Sequence, residues 1–441
     1  MRLASGGASA TLALLCSIFV AAPVMAQAGS PADNDATQNS ADAEESFRYA
    51  AKAAEEGDIV GAIAALERIL QNNPDLSNIK LELGLLYLRA GNADLARSYL
   101  RQAVNAPDAP EAARQRARLA LGAASSASGG FTIGGTVFGS FQVQSNPNGS
   151  PGSVSVIGPG GLPIIVSGDD LAIPRGSDIS VNLAGAFEIR HGLGGQRPDD
   201  VVLALYMSQT NYADTTDLDA TYLDARIGPR FFTGSTQSPT GYIRPFISAT
   251  GLALGHARYF AAFGGGGEFL FRPSFGANIT GQLGYERRDY NNSNRRPTAD
   301  DQSGDYVSGV LEYSQQVSTR LRGSASFLFE GAEADRDYWS RTTLGGQMGL
   351  IYSFASSAGG DSWVARLSGA YRRSDYSEPD PLVDAAVKRN EDRIDLVATL
   401  AIPVAKFLSL DLRLAQTWNN SNLPNYEFNN TQGGFGLTYR F

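Results

Sequence analysis

From Phe131 to Phe441, apolar and polar residues alternate in short runs. The sharpest run puts Phe435, Leu437, Tyr439 and Phe441 on one face and Gly434, Gly436, Thr438 and Arg440 on the other. Successive side chains point to opposite faces of a strand, so this pattern predicts a strand with one apolar face. Leu408, Leu410, Leu412 and Leu414 likewise oppose Ser409, Asp411 and Arg413. Val201, Leu203, Leu205 and Met207 share a face, and Ile394, Leu396, Ala398, Leu400 and Ile402 oppose Asp395, Val397 and Thr399. An open edge strand this apolar invites aggregation, whereas closing a membrane barrel removes the edge and gives the apolar face to lipid.

Fourteen strands are predicted, near 131–145, 177–191, 200–211, 219–232, 241–252, 258–271, 274–289, 304–316, 320–332, 339–354, 362–374, 391–402, 407–419 and 427–441. Long connections (146–176, 290–303, 375–390) follow odd-numbered strands, and turn-like ones (196–198, 272–273, 318–319, 403–406) follow even-numbered strands. Long loops on one rim and tight turns on the other are the habit of outer-membrane barrels. An even strand count brings both ends of the barrel out on the short-turn side, which would be periplasmic. On this reading Phe435, Leu437, Tyr439 and Phe441 close the barrel and form a C-terminal signal for its insertion, with the barrel assembly machinery and outer-membrane lipid as partners.

Residues 44–124 follow a different rule, with Ala, Leu, Glu and Arg at helical spacing and an internal repeat. Gly57 and Gly91, Ala62 and Ala96, and Leu66 and Leu100 are each 34 residues apart. Glycine at the inter-helix turn and alanine at the helix contact, at this period, form the tetratricopeptide pattern. Leu83-Gly84 and Tyr87 fill further positions of the second unit, and Glu111 to Ala124 adds a lone helix able to cap the pair. In such a pattern the first helix of each unit lines a concave groove. That places Phe47, Ala51 and Ala54 of the first unit and Leu81, Leu85 and Leu88 of the second there, with Arg89 at its edge. An apolar, shallow surface of this kind suits a client polypeptide; the alternative is that the same residues pack against the cap helix. The fold class expected is therefore multidomain: a short all-α repeat domain, then a 14-stranded antiparallel transmembrane β-barrel over 131–441.

Composition narrows the rest. Arg2, the apolar run Ala10–Ala22 and Val24-Met25-Ala26 read as a signal peptide cleaved after Ala26, with 27–43 as a flexible linker. The only cysteine, Cys16, falls within that signal, so the expected mature chain has no disulfide and no thiol chemistry. Its 35 basic residues (36 less Arg2) against 45 acidic ones argue against nucleic acid as a partner. The two histidines, His191 and His256, have no metal spacing, and no serine sits in a Gly-x-Ser-x-Gly elbow, so neither a catalytic nor a metal site and no cofactor is expected. Gly264–Gly267 lacks the lysine and helix of a phosphate loop and reads as close packing in the wall.

Aromatics near strand ends (Phe231-Phe232, Tyr338-Trp339, Tyr352, Phe354, Trp363, Trp418, Tyr426) suit interfacial girdles. Arg226, Arg230, Arg244, Arg372, Arg373 and Arg393 lie in or beside strands; by parity some face the lumen, either as a polar conduit or in salt bridges with Asp224 and Asp395.

The stretch Lys388-Arg389-Asn390-Glu391-Asp392-Arg393 before a strand, then Asn420-Ser421-Asn422, Tyr426 and the terminal Phe441, resembles the barrel of the surface lipoprotein assembly modifier (Slam) family. That resemblance implies periplasmic repeats joined to a fourteen-stranded barrel, acting as a non-enzymatic outer-membrane translocon for a client protein. Exporters of bacterial exopolysaccharide also pair such repeats with a barrel, and a nonspecific pore is the third possibility.

Overall fold

The computed structural model describes residues 46–54, 58–90, 92–107, 109–127, 131–157, 163–167, 176–193, 199–234, 239–274, 276–354, 362–405 and 407–441. The expected signal peptide, the linker and the turn glycines Gly57 and Gly91 lie outside the described residues.

Among the described residues five helices come first: α1 (46–54), α2 (Ile59–Asn72), α3 (Ser77–Arg89), α4 (Ala93–Asn105) and α5 (Glu111–Ala127). Asp58 caps α2 by accepting from the Gly61 amide at 2.9 Å, and Asn92 caps α4 by accepting from Leu95 at 3.2 Å. Each satisfies an amide that the first turn leaves open. Ala50, Ala53, Ala62, Leu66 and Ile69 of α1 and α2 bury against Ile79, Leu83 and Leu86 of α3. A second cluster joins Leu81 to Ala96 and Leu100 of α4 and to Ala117, Ala120 and Ala124 of α5. Gly84 allows the α3–α4 contact, since a Cβ there would stand 2.5 Å from the Leu100 side chain. Arg116 of α5 pairs with Glu82 of α3 at 2.9 Å, one repeat period away, so α5 stands where the first helix of a third unit would. The lone helix does pack as a cap.

Fourteen antiparallel strands follow and close on themselves: β1 (Phe131–Gln144), then β4 (Asp178–Gly192), β5 (Asp200–Tyr212), β6 (Ala220–Gly234), β7 (Pro239–Leu254), β8 (Ala257–Phe271), β9 (Ala277–Tyr290), β10 (Gly304–Gln316), β11 (Leu321–Ala334), β12 (Arg341–Phe354), β13 (Trp363–Tyr376), β14 (Asn390–Ala405), β15 (Leu408–Ser421) and β16 (Phe428–Arg440). Neighbours in sequence pair in order, and β1 pairs with both β4 and β16. The strands predicted from alternation are these, within a few residues. One expectation is corrected: 146–176 is not merely a loop, because β2 (Ser153–Ile157) and β3 (Pro163–Ser167) form a separate hairpin there. Asn425 ties that hairpin to the β15–β16 connection, accepting from the Ser155 amide at 2.7 Å and donating to the Ser155 carbonyl at 3.0 Å.

The two rims differ as expected. Short 3₁₀ turns at 216–218, 299–302, 337–339 and 424–426 all sit on the long-loop rim. That rim also holds one tight connection, Gly255-His256, where both residues have positive φ (56° and 65°), as a two-residue hairpin turn of this hand requires. Helix α5 touches β1, the strand that follows it, and β4, the neighbour of β1 in the barrel. Among the described residues no helix is long and apolar enough to cross a membrane; this says nothing of the strands.

Candidate functional site: the barrel lumen

The wall sorts its side chains by parity. Large apolar residues point outward all round the barrel, among them Val181, Met207, Ile247, Phe263, Leu283, Leu311, Phe327, Met348, Leu367, Leu396, Leu414 and Leu437, and they are exposed. A sheet with this much outward apolar surface matches hydrocarbon, not water. The polar residues of the same strands turn inward and define the lumen.

On β4 to β9 the lumenal arginines are zipped to acids. Arg226 meets Asp224 at 2.9 Å, Arg244 meets Glu268 at 3.0 Å and Arg288 meets Glu286 at 2.6 Å. Arg230 grips Asp200 with two bonds of 2.9 and 2.5 Å and reaches Glu188 at 3.1 Å, and Glu188 also pairs with Arg190. Bidentate pairs of this kind are the strong ones. The glycine run explains part of the geometry. A Cβ on Gly264 would stand 2.0 Å from the Tyr285 carbonyl and one on Gly266 2.1 Å from that of Leu283, so this patch of wall is bare backbone, as the close-packing reading expected. Across it Arg226 of β6 donates to Gln282 of β9 at 2.7 Å, with the Phe246 ring 5.3 Å from its guanidinium.

On β13 to β16 the balance fails. Arg393 binds Asp395 bidentately at 2.9 and 3.0 Å, and Thr417 donates to the same carboxylate at 2.7 Å. Asp411 is satisfied by Ser409 at 3.2 Å and by Thr438. The side chains of Arg366, Arg372, Arg413 and Arg440 make no hydrogen bond or ion pair with the described residues. Of the arginines singled out from sequence, Arg226 and Arg393 do pair with Asp224 and Asp395. Arg372 faces the lumen alone, and Arg373 turns outward to Asp375 (3.2 Å) and Asp392 (3.5 Å).

The long-loop mouth carries another arrangement. The Arg389 guanidinium lies between the rings of Tyr376 (3.5 Å) and Tyr426 (3.9 Å), with Trp339 at 5.2 Å. It is buried, with Glu391 at 3.4 Å as its ion-pair partner. This corrects part of the girdle expectation. Trp339 and Tyr426 serve a buried cation rather than lipid, and Phe232 turns in to Arg230 at 5.0 Å. Tyr352 stacks on Phe354, which meets Trp363, so that group does form an aromatic edge at the short-turn rim.

Phe435, Leu437, Tyr439 and Phe441 lie on the outward face of the last strand and are exposed. Phe441 exchanges two backbone hydrogen bonds with Gly135 of β1, at 3.0 and 3.1 Å. Its ring lies over Gly135, where a Cβ would stand 3.0 Å from it, and it neighbours Phe187 and Tyr439. His191 packs at a tilt against the Phe131 ring at that rim, and His256 lies 3.4 Å from Asp219 at the other. Among the described residues no group of three metal-ligating side chains forms.

In the helical domain the structure divides the expected groove. Phe47 is 37% exposed and Ala51 is exposed, whereas Leu81 is 4% exposed and packs toward α5. Leu85 and Leu88 are half-buried against the same cluster. Arg89 is exposed and donates to the Ala54 carbonyl at 3.0 Å, joining the two units. The physical reason for Leu81 is the added helix: α5 covers it with Ala117, Ala120 and Ala124.

Residues 53–119 match the tetratricopeptide repeat. No curated protein matches the chain significantly. Among solved structures, the outer membrane channel DcaP of Acinetobacter baumannii is similar at 11% identity and TM-score 0.39, over 71% of this chain and 97% of that one. A bacterial polysaccharide outer membrane secretin is similar at 9% identity and TM-score 0.38, over 70% and 98%. OprD from Pseudomonas aeruginosa is similar at 8% identity and TM-score 0.32, over 70% and 93%. These likenesses are too remote to say what the chain does.

Proposed function

We propose that the chain is an outer-membrane translocation conduit. Its repeat domain stands in the periplasm and receives a client polypeptide, and its barrel passes that client outward. The observation that carries this reading is the join between the two parts: α5, the last helix of the array, touches β1 and β4. A helical array able to bind a chain therefore sits beside the strands that open the barrel. The lipid-type outer wall supports a membrane site, and the Slam resemblance of the last strands supports a protein client. The accessible part of the docking face is Phe47 and Ala51, with the half-buried Leu85 and Leu88 beside them and Arg89 at the edge.

The test is the full chain carrying Phe47→Glu and Ala51→Glu, two exposed positions whose change leaves the helical core intact. Surface and secreted proteins are compared by surface biotinylation between cells with the wild-type and the variant chain. A client should disappear from the variant surface while the barrel still migrates faster unboiled than boiled on a denaturing gel. Unchanged export would sink the docking role, and loss of an extracellular polysaccharide in place of a protein would move the reading to polysaccharide export.

A further inference from the structure

The lumen is electrically lopsided, although the chain as a whole is acidic (net −9). Five arginines on β4 to β9 all have acid partners. The chain thus builds neutral pairs where it needs only a closed wall. On β13 to β16 it does not. Arg366, Thr399 and Arg413 stand side by side across β13, β14 and β15. Arg372 is directly opposite Arg393, a like-charge cross-strand pair that costs stability unless something offsets it. Arg440 enters near the short-turn mouth, pairing in register with Thr136, and acts electrostatically on Arg366, with Asp411 acting in the opposite sense. The three lumenal acids of this wall are already engaged: Asp395 by Arg393 and Thr417, Asp411 by hydroxyls, and Glu391 by Arg389 and Asn419.

Arg366 and Arg372 share a strand six residues apart, roughly 20 Å at about 3.4 Å per residue. The unpaired guanidiniums therefore form a ladder, Arg440 to Arg366 to Arg413 to Arg372, rising from the short-turn mouth along one side of the lumen. The gap on β16 beside Arg413 is Gly434, which puts no side chain into the path.

We propose that this arginine ladder is an anion path: successive guanidiniums hand an anionic solute, or the acidic groups of a longer cargo, along the β13–β16 wall. Each rung supplies a fixed positive charge with free N–H donors, and the neutral wall opposite neither attracts nor repels. The inference rests on the reading of the barrel as a conduit, but not on the identity of the client.

The experiment is the full chain reconstituted in a planar lipid bilayer under a tenfold KCl gradient. The reversal potential should report chloride over potassium by about threefold or more, in the direction that rings of basic side chains select. Arg366→Gln, Arg413→Gln and Arg440→Gln together should bring that ratio close to unity, and Arg366→Glu with Arg413→Glu should invert it. Arg373→Gln, which lies on the outer side of the same strand, should leave it unchanged. Retained heat-modifiable migration certifies that each variant is folded. A potassium preference in the wild type, a barrel that carries no current, or a triple variant with wild-type selectivity would overturn the ladder. Export measured separately distinguishes this failure from that of the translocation reading: a selective pore with normal export in the docking variant sinks only the latter.

Discussion

Leu100 and Leu414 are the same residue in opposite circumstances. Leu100 of α4 is 0% exposed, wedged against Gly84 and α5, and Leu414 of β15 is 66% exposed on the outside of the barrel. The helical domain hides its leucines from water and the barrel displays them. Nothing in the residue differs; the solvent does. Helices on one side of the chain have their backbone bonds met internally and need only bury one stripe. Strands meet theirs only by closing, and once closed their apolar face turns outward to hydrocarbon. The inside of one half is thus chemically like the outside of the other.

Three substitutions press on that comparison. Leu100→Ala empties a fully buried site and should cost the helical domain about 2–5 kcal/mol, read as a lower unfolding midpoint in helical circular dichroism, with the barrel's gel shift untouched. If the barrel signal falls with it, the two halves are one cooperative unit and the contrast between them is false. Met348→Arg places a charge at mid-strand on a position that is 75% exposed, which should cost about 2–4 kcal/mol if that face meets the bilayer midplane and nothing measurable if it meets water. Refolding into lipid vesicles under urea reads the difference. Phe441→Ser removes a ring from the rim, worth about 1.5–3 kcal/mol of burial at most, and the larger consequence should be in assembly. Outer-membrane levels in cells should fall, and wild-type levels would remove any signalling part for the last strand.

The fourteen barrel strands were legible because period two persists for a dozen residues at a time, and a parity error would have reversed every face. The β2–β3 hairpin was not: Val154, Val156 and Ile164 to Val166 are too few to separate a short hairpin from an apolar loop. Leu81 was legible as a helix-face residue but not as core, because sequence spacing assigns it a face and only the placement of α5 says what covers that face. The arginines show the same boundary. Parity put some of the six arginines inside the barrel without saying which; that Arg372 is one of them, and that Arg393 takes Asp395 and leaves Arg372 without a hydrogen bond, follows from register and rotamer. Arg413 and Arg440 were legible only as members of a polar face, and Arg366 was not singled out, since an arginine alternating with leucines looks alike whether or not it has a partner.

The seam between β1 and β16 sets an order of events. Thr136 pairs with Arg440 and Gln144 with Gln432, so the first barrel strand made waits for the last. Until then the growing sheet has two raw edges, and closing it brings together segments separated by nearly the whole barrel. Hairpins such as β7–β8 can form as soon as they are made, whereas the seam is the most non-local contact in the chain and the slowest to find by diffusion alone. The ring therefore behaves like a bracelet whose clasp lies at one end of the strap: every link can be in place while the object is still open.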